Sequence, residues 1–297
     1  MKRENGNALI LVSLAMVGLL GMTGLVIDGG SLFMTKSHLQ KAANAAALSG
    51  AQELFLGEGA VENIVNEVLQ FHKEEKQLEK IEIDEENIVK LQLKKEVPLA
   101  FSTLFGQDTA PVEAQAAAEV GVMGSAMGAV PLGIDERFEL EFYEEYELKT
   151  DTTGVDAGWF GILALGGPGA ATYYDNFKNG YQYEISVGDV IDTQTGNVAG
   201  TTRSAVKERI DACPYAIQTG IEKKCSRIIL VPVYQPYNVQ SNQVKQVKIK
   251  GFAYFYLTEP VSGKDTSVHG MFIKLTGSGT IDESATNRGA FSIRLTE

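Results

Sequence analysis

Residues 8–27 read ALILVSLAMVGLLGMTGLVI, a stretch of twenty residues that contains no charged side chain. A helix rises about 1.5 Å per residue, so this stretch spans about 30 Å, the thickness of the hydrocarbon core of a bilayer. Within lipid the backbone N–H and C=O groups must bond to one another, and a helix satisfies that requirement. We therefore predict a transmembrane helix over residues 8–27.

The charges at the two ends of this stretch predict its orientation. Lys2 and Arg3 precede it, and Asp28 follows it directly. Because basic flanks stay on the cytoplasmic side, we expect residues 1–7 to be the cytoplasmic stub of a single-pass protein in the cell membrane. The bulk of the chain, which follows the span, is then expected to be extracellular.

A cleaved signal peptide is the main alternative to a retained anchor. Signal peptides have an apolar region of about 7–15 residues, followed at once by a cleavage site with small residues. Here the apolar stretch is longer, and closely spaced alanines come only at Ala43–Ala47. These observations favour a signal-anchor that stays in the protein. A buried core helix of a soluble protein fits less well, because this stretch is so uniformly apolar.

Three glycines inside the apolar stretch, Gly18, Gly21 and Gly24, recur at every third position. On a helix they share one broad sector, where the lack of side chains permits the close approach of a second helix. Glycine is also simply frequent in membrane spans. Both interpretations remain open from the sequence, and the three glycines are our helix-packing candidates within the span.

The residues after the span predict a helix that continues beyond the membrane. Residues 31–55 contain no proline, and six alanines between positions 42 and 51 give a high helix propensity. Ala43, Ala46 and Gly50 form a narrow stripe of small residues on one face of that helix. Such a stripe suits tight packing against another helix or a sheet, which belongs either to this chain or to another protein.

Three segments of this region together resemble a known family. They are Gly6-Asn7-Ala8, residues 24–30 with the sequence GLVIDGG, and residues 39–51 with the sequence LQKAANAAALSGA. Combined with the apolar span, they resemble the N-terminal region of TadE/TadG-like Flp pilus-assembly proteins of the tight-adherence (Tad) system. Asn44 stands where the family commonly has Asp, and Ser49 replaces an alanine.

The later segments 87–93, 97–106 and 112–118 extend this resemblance. They predict a strand, a short apolar helix that Pro98 begins and Gly106 ends, and a second strand. The resemblance implies a membrane-anchored, non-enzymatic component of Flp pilus assembly or of surface adherence. Its implied partners are the lipid bilayer and other Tad pilus-assembly proteins or pilin.

We predict an α+β fold in consecutive parts. The membrane helix continues into the Ala-rich helix of a small Tad-like α+β module over residues 28–120. Glycines and other small residues predict a linker over residues 121–129. Short alternating segments between breakers predict a mostly antiparallel β domain, a sandwich or barrel, over residues 130–297.

The two cysteines, Cys213 and Cys225, lie twelve positions apart in the part of the chain that we expect outside the cell. In an oxidising compartment such a pair persists as a disulfide. Two separate buried thiols or a metal-binding pair are the alternatives, and no histidine lies near them in the sequence to complete a metal site. The even number of cysteines and their expected extracellular location favour the disulfide.

The sequence offers few groups for catalysis or ligand binding. A net charge of −12 leaves no basic surplus to neutralise phosphates, which argues against a nucleic-acid partner. The three histidines are scattered, and the glycine-rich residues 166–170 lack the Gly-Lys-Ser/Thr ending of a phosphate-binding loop. We therefore assign no catalytic, cofactor-binding or metal-binding residues and expect no small-molecule substrate.

An acidic run over residues 135–147 could bind Ca²⁺, but its spacing fits no EF-hand loop. We interpret it as the exposed face of a strand-like segment whose residues Phe138, Leu140 and Phe142 face inward. A free-standing surface adhesin and a membrane-tethered extracellular enzyme remain the alternative functions.

Overall fold

The computed structural model describes residues 5–84, 87–149, 160–194, 198–214, 224–240, 243–261 and 267–296. The chain divides into two compact units. The first unit comprises Met1–Glu119 with Leu295–Glu297, and the second comprises Val120–Arg294.

The first unit is built on one long helix. Its elements are α1 (Asn5–Gln52), α2 (Glu58–Phe71), β1 (Leu78–Ile83), β2 (Ile88–Pro98) and the first part of β3 (Thr109–Ala126). Helix α1 includes both the predicted span and the predicted Ala-rich helix, and Gly29-Gly30 does not interrupt it. The predicted order of a long N-terminal helix followed by a small α+β module is confirmed.

Strands β1, β2 and β3 pair antiparallel in the order β1-β2-β3. The side chains of a strand alternate between the two faces, and on β2 it is Val89, Leu91 and Leu93 that are buried. Helix α2 buries the helically spaced residues Val61 and Val65, together with Leu69. These apolar side chains and the Ala-rich part of α1 make the core of the unit.

The loop after β2 differs in one detail from the prediction. Pro98 is the last residue of β2 and does not begin the short helix. That helix is a single 3₁₀ turn over Ser102–Phe105, and Gly106 ends it with a φ of 85°. A positive φ favours glycine, so this part of the prediction matches the geometry.

Among its described residues, the second unit has two short helices and many strands. Its elements after β3 are β4 (Leu132–Asp135), β5 (Glu145–Lys149), β6 (Phe160–Ile162), α3 (Ala170–Asn179), β7 (Ile185–Ser186), β8 (Val190–Asp192), α4 (Ala199–Ala212), β9 (Ile228–Gln240), β10 (Gln243–Glu259), β11 (Ser267–Ile273), β12 (Leu275–Gly277), β13 (Gly279–Ile281) and β14 (Ala290–Leu295). The main sheet has the order β5-β11-β10-β9-β4-β6, and β8 also pairs with β10. Its described pairings are antiparallel except for β4 with β9, so the mostly antiparallel prediction is confirmed.

Helices α3 and α4 cover the core of this sheet. Tyr173 and Phe177 of α3 and Val206 of α4 belong to the same buried cluster as Val231 and Phe255 of the sheet. Val206 and Ile210, four positions apart, predict a helix over residues 202–212 from the sequence, whereas no sequence pattern predicted α3. Besides this sheet and its helices, the second unit contains β7, β12, β13 and β14, which pair with β3 or with one another. The whole chain is α+β.

The predicted linker over residues 121–129 is corrected by the structure. Residues 121–126 continue β3, which pairs here with β13 and β7. A Cβ atom on Gly121 would lie 2.4 Å from a side-chain carbon of Ile281, and one on Gly124 would lie 2.2 Å from Cβ of Asp282. The small residues that resemble a linker in the sequence are those that allow the neighbouring chain to approach closely.

Candidate functional site

The first half of α1 exposes apolar side chains along its length. Leu9, Leu14 and Val17 are each about two-thirds exposed or more. Exposure of apolar surface on this scale marks an interaction with a membrane or a partner. Among the residues that the structure describes, α1 is the helix long and apolar enough to cross a membrane, which is consistent with a single-pass anchor.

The next residue after this span, Asp28, is held by the loop that follows β2. Only 4% of Asp28 is exposed. Its carboxylate accepts the backbone N–H groups of Ala100 (2.8 Å), Phe101 (3.1 Å) and Ser102 (2.7 Å), as well as the Ser102 hydroxyl (2.8 Å). The side chain of one element thus caps the 3₁₀ helix of another. We call this set of contacts the Asp28 clasp.

The charge of Asp28 is stabilised where it lies. Burial by itself raises the pKa of this carboxyl, but the hydrogen bonds from Ser102, Ala100 and Phe101 outweigh burial and leave the pKa below its ordinary value. Asp28 is therefore ionised at neutral pH. The ionised carboxylate is an acceptor only, which is what four converging donors require.

One of the three predicted packing glycines belongs to the same contact. A Cβ on Gly24 would lie 2.6 Å from Cβ and Cγ of Phe101, so the Phe101 side chain lies directly against the backbone of α1. Around Gly18 and Gly21 a Cβ would meet no atom within 4 Å in the described part of the chain. Those two positions leave an open strip on the span.

The small-residue stripe of α1 packs inside the first unit. Ala43 and Ala46 have no exposed surface. A Cβ on Gly50 would lie 2.9 Å from a methyl group of Val65 and 3.2 Å from one of Val61. The neighbour of the stripe is therefore this chain's own module, one of the two alternatives that the sequence left open.

Polar contacts fix the same helix to the module. Lys36 and Gln40 of α1 donate hydrogen bonds to the carbonyl oxygens of Glu113 and Gln115 on β3. Farther along, Lys95 donates to both carboxylate oxygens of the buried Glu74, at 2.5 and 2.7 Å. The Lys36 and Gln40 contacts hold α1 against β3, and the Lys95–Glu74 ion pair connects β2 to the segment that follows α2.

Sequence reasoning missed the clasp and the Glu74 contact. Asp28 was noted only as the acidic end of the span, and its partners lie 72 to 74 positions away. Charge pattern alone gave no signal for the buried Glu74, which stands among many exposed acids. The available signal was that Asp28 is the first acidic residue after the span and that the segment after β2, residues 99–107, has no charged side chain.

The predicted disulfide is confirmed in the second unit. Cys213 and Cys225 are bonded, with their Cα atoms 5.6 Å apart. Both are buried, and they form a small cluster with Tyr256 and Ile273. The bond connects the end of α4 to the start of β9.

The three histidines are divided between the two units. His38 and His72 have ring centroids 6.0 Å apart in the first unit, whereas His269 lies on β11 of the second. Residues 166–169 form the turn that precedes α3, and Ala170 is the first residue of that helix. Among the described residues, no group of three His, Cys, Asp or Glu side chains is arranged to hold a metal ion.

The acidic run is not a strand over its whole length. Residues 136–144 connect β4 to β5 without regular structure, so the strand interpretation is corrected there. Phe138, Leu140 and Phe142 are partly buried against the core, which explains the alternation in the sequence. Asp135 pairs with Arg137, whose guanidinium nitrogen lies 2.6 Å from its carboxylate.

The comparison with protein families concerns helix α1. Residues 6–53 match the model of the family described as putative Flp pilus-assembly TadE/G-like. The N-terminal region of this chain is Tad-like. No curated protein and no solved structure matched the chain. The match includes the apolar span, Asp28 and the small-residue stripe, so the predicted Tad resemblance is confirmed for the N-terminal region.

Proposed function

We propose that this chain is a membrane-anchored, non-enzymatic component of Flp/Tad pilus assembly. The observation that carries the proposal is the family match over residues 6–53, because these are nearly the same residues that form α1. The matched segment therefore corresponds to one physical object, a helix whose first half is exposed and apolar and whose second half is packed into a folded module.

The continuity of α1 supports a mechanical role. The helix has 48 residues, which gives a length of about 72 Å at about 1.5 Å per residue. A helix without a break transmits position and orientation from the membrane to the module. The Asp28 clasp and the buried Ala46 face add rigidity beyond the point where the helix leaves the membrane.

The proposed orientation places the N-terminus in the cytoplasm and the rest of the chain outside the cell. The basic residues before the span and the acidic residue after it support this direction. The Cys213–Cys225 disulfide supports it independently, because such bonds persist in oxidising compartments.

The proposed partners are the bilayer and other Tad proteins or pilin. Gly18 leaves an open position on the span where a second helix could approach without displacing side chains. The proposal of a non-enzymatic role rests on the family resemblance. A free-standing adhesin or a membrane-tethered enzyme would make the chain dispensable for pilus formation.

Gene deletion with complementation tests the proposed function. In the source cells, loss of the chain should abolish or strongly reduce surface pili, and the wild-type gene should restore them. A gene in which residues 8–27 are replaced by a soluble linker behind a cleaved signal peptide should be secreted and should not restore them. Normal pili in the deletion strain would contradict the proposal.

A further inference from the structure

The loop between β2 and β3 carries two apolar side chains that nothing in the described chain covers. Leu104 and Phe105 are each 81% exposed. Residues 97–107, from the end of β2 through most of the loop, include no charged side chain. An exposed Leu-Phe pair in a stretch without charge is an unusual surface for contact with water.

The Asp28 clasp places this pair beside the membrane span. The loop and the span border one cleft of about 310 Å³. Its apolar wall comprises Val17, Leu20 and Leu25 on the helix, and Phe101, Leu104 and Phe105 on the loop. All of these residues belong to the first unit.

The helix residues of the cleft lie well inside the apolar stretch. Leu20 and Val17 precede Asp28 by eight and eleven positions, which corresponds to about 12 and 16 Å along the helix axis. A bilayer that surrounds residues 8–27 therefore surrounds the wall of the cleft as well. Leu104 and Phe105, on the opposite wall, then lie at the depth of the acyl chains.

We propose that the tip of this loop, residues 101–105, is inserted into the leaflet next to Asp28 and that lipid acyl chains fill the cleft. This inference rests on the membrane span of the proposed function and adds a second, non-helical membrane contact to it. The occupant is lipid because the cleft is open and its wall is continuous with the exposed apolar face of the span.

The hydrogen bonds of the loop make insertion compatible with an apolar surrounding. Unpaired backbone groups exclude ordinary loops from the hydrocarbon region. Here the Asp28 carboxylate accepts the N–H groups of residues 100, 101 and 102. The N–H groups of Leu104 and Gly106 bond within the 3₁₀ turn, and the Thr103 hydroxyl bonds to the Leu99 carbonyl oxygen.

Insertion would hold the first unit at two points. A single helix leaves the module free to rotate about the helix axis and to tilt against the bilayer. A second apolar contact beside that axis removes much of this freedom. The loop thus fixes the direction in which the module faces along the membrane.

Site-specific fluorescence in vesicles tests the inference on the full chain. Because the native cysteines are bonded to each other, single cysteines can be introduced and labelled without reductant. The variants are Leu104→Cys in the loop, Leu14→Cys in the span outside the cleft, and Asn63→Cys on the exposed side of α2. Each carries the same environment-sensitive dye in phosphatidylcholine–phosphatidylglycerol vesicles.

We expect the Leu104→Cys label to behave like the Leu14→Cys label. Its emission should be shifted to the blue, doxyl groups on acyl chains should quench it, and aqueous iodide should quench it several-fold less than the Asn63→Cys label. A Leu104→Cys label that iodide reaches as readily as the Asn63→Cys label, while the Leu14→Cys label stays in lipid, would overturn the inference and leave the anchor intact.

Two further outcomes are informative. If iodide also reaches the Leu14→Cys label, the span itself is not in the bilayer, and the anchoring part of the proposed function fails together with the inference. If neither iodide nor doxyl lipids quench the Leu104→Cys label, protein covers the loop, and the inference that lipid fills the cleft is overturned.

Discussion

Asp28 shows how one side chain can join two distant parts of this chain. Its carboxylate receives three backbone donors and one hydroxyl from a loop more than seventy positions away. Gly24, one helical turn earlier, lets Phe101 lie against the helix backbone. A buried carboxylate without hydrogen-bond donors is costly, so the burial of Asp28 depends on the N–H and hydroxyl groups of the loop.

The first prediction concerns the stability that the Asp28 clasp provides. Because the folded-state pKa lies below the ordinary Asp value of about 3.9, the contribution is complete above about pH 4 and is lost as the pH falls through the lowered value. Asp28→Ala should lower the melting temperature of the detergent-solubilised chain at pH 7. The difference from wild type should narrow as the pH falls below about 4.

Asp108→Ala is the matched control, since Asp108 ends the same loop but its side chain is exposed. It should melt close to wild type at both pH values. An Asp28→Ala effect of equal size at pH 7 and pH 3 would show that the charge of Asp28 does not provide the stabilisation.

The second prediction concerns the small-residue stripe. Ala46 is fully buried in the packed part of α1, so Ala46→Leu adds three carbon atoms where no space is left. Overpacking of this kind costs about 1–3 kcal/mol of unfolding free energy, and the variant should melt earlier. Lys41→Leu introduces the same side chain at an exposed position of α1 and should melt at the same temperature as wild type. Equal melting of Ala46→Leu and wild type would mean that the stripe is not packed as described.

At the scale of elements, sequence patterns predicted the structures that depend on one continuous segment. The apolar span and the alanines after it predicted α1 because helix propensity and length act within one segment. The end of β3 was mistaken for a linker because its small residues allow the close approach of β13, which is remote in sequence. Helix α3 was missed because it is short and polar, and of its residues only Tyr173 and Phe177 are fully buried. The Asp28 clasp was missed because no local pattern encodes it.

Helices α3 and α4 depend on a buried arginine for their mutual position. Arg209 of α4 donates to the carbonyl oxygens of Phe177 (2.6 Å), Ser226 (2.9 Å) and Ile228 (3.3 Å). Burial lowers the pKa of its guanidinium to about 10, which still leaves it charged at neutral pH. One side chain thus connects α4 to the end of α3 and to the start of β9.

The third prediction follows from these contacts. Arg209→Met keeps much of the apolar stem but removes every donor, so the three carbonyl oxygens lose their charged partner. Hydrogen bonds to charged groups contribute about 1.5–3 kcal/mol each, and we expect a loss of at least that size in chemical denaturation. Lys207→Met on the exposed side of the same helix should change stability little. Similar losses for both variants would contradict the assigned role of Arg209.

At the scale of the whole molecule, the Tad-like N-terminal region indicates a function, whereas the rest of the chain does not. The family match ends at residue 53, shortly after α1, while the second unit starts at Val120. The sequence therefore predicted the anchor and the pilus association from one segment. The second unit contains a disulfide, and no pattern in its sequence assigned it a function.

The central claim is that this chain works in the membrane as part of the pilus-assembly machinery. Its most direct test is chemical crosslinking in intact membranes of the source cells, followed by purification of the tagged full-length chain and mass spectrometry. The matched control is the same chain with residues 8–27 replaced by an unrelated span of equal length. We predict that pilin or other Tad proteins are enriched with the wild-type chain over the control. Crosslinked material from piliated cells that contains no Tad protein or pilin would contradict the claim.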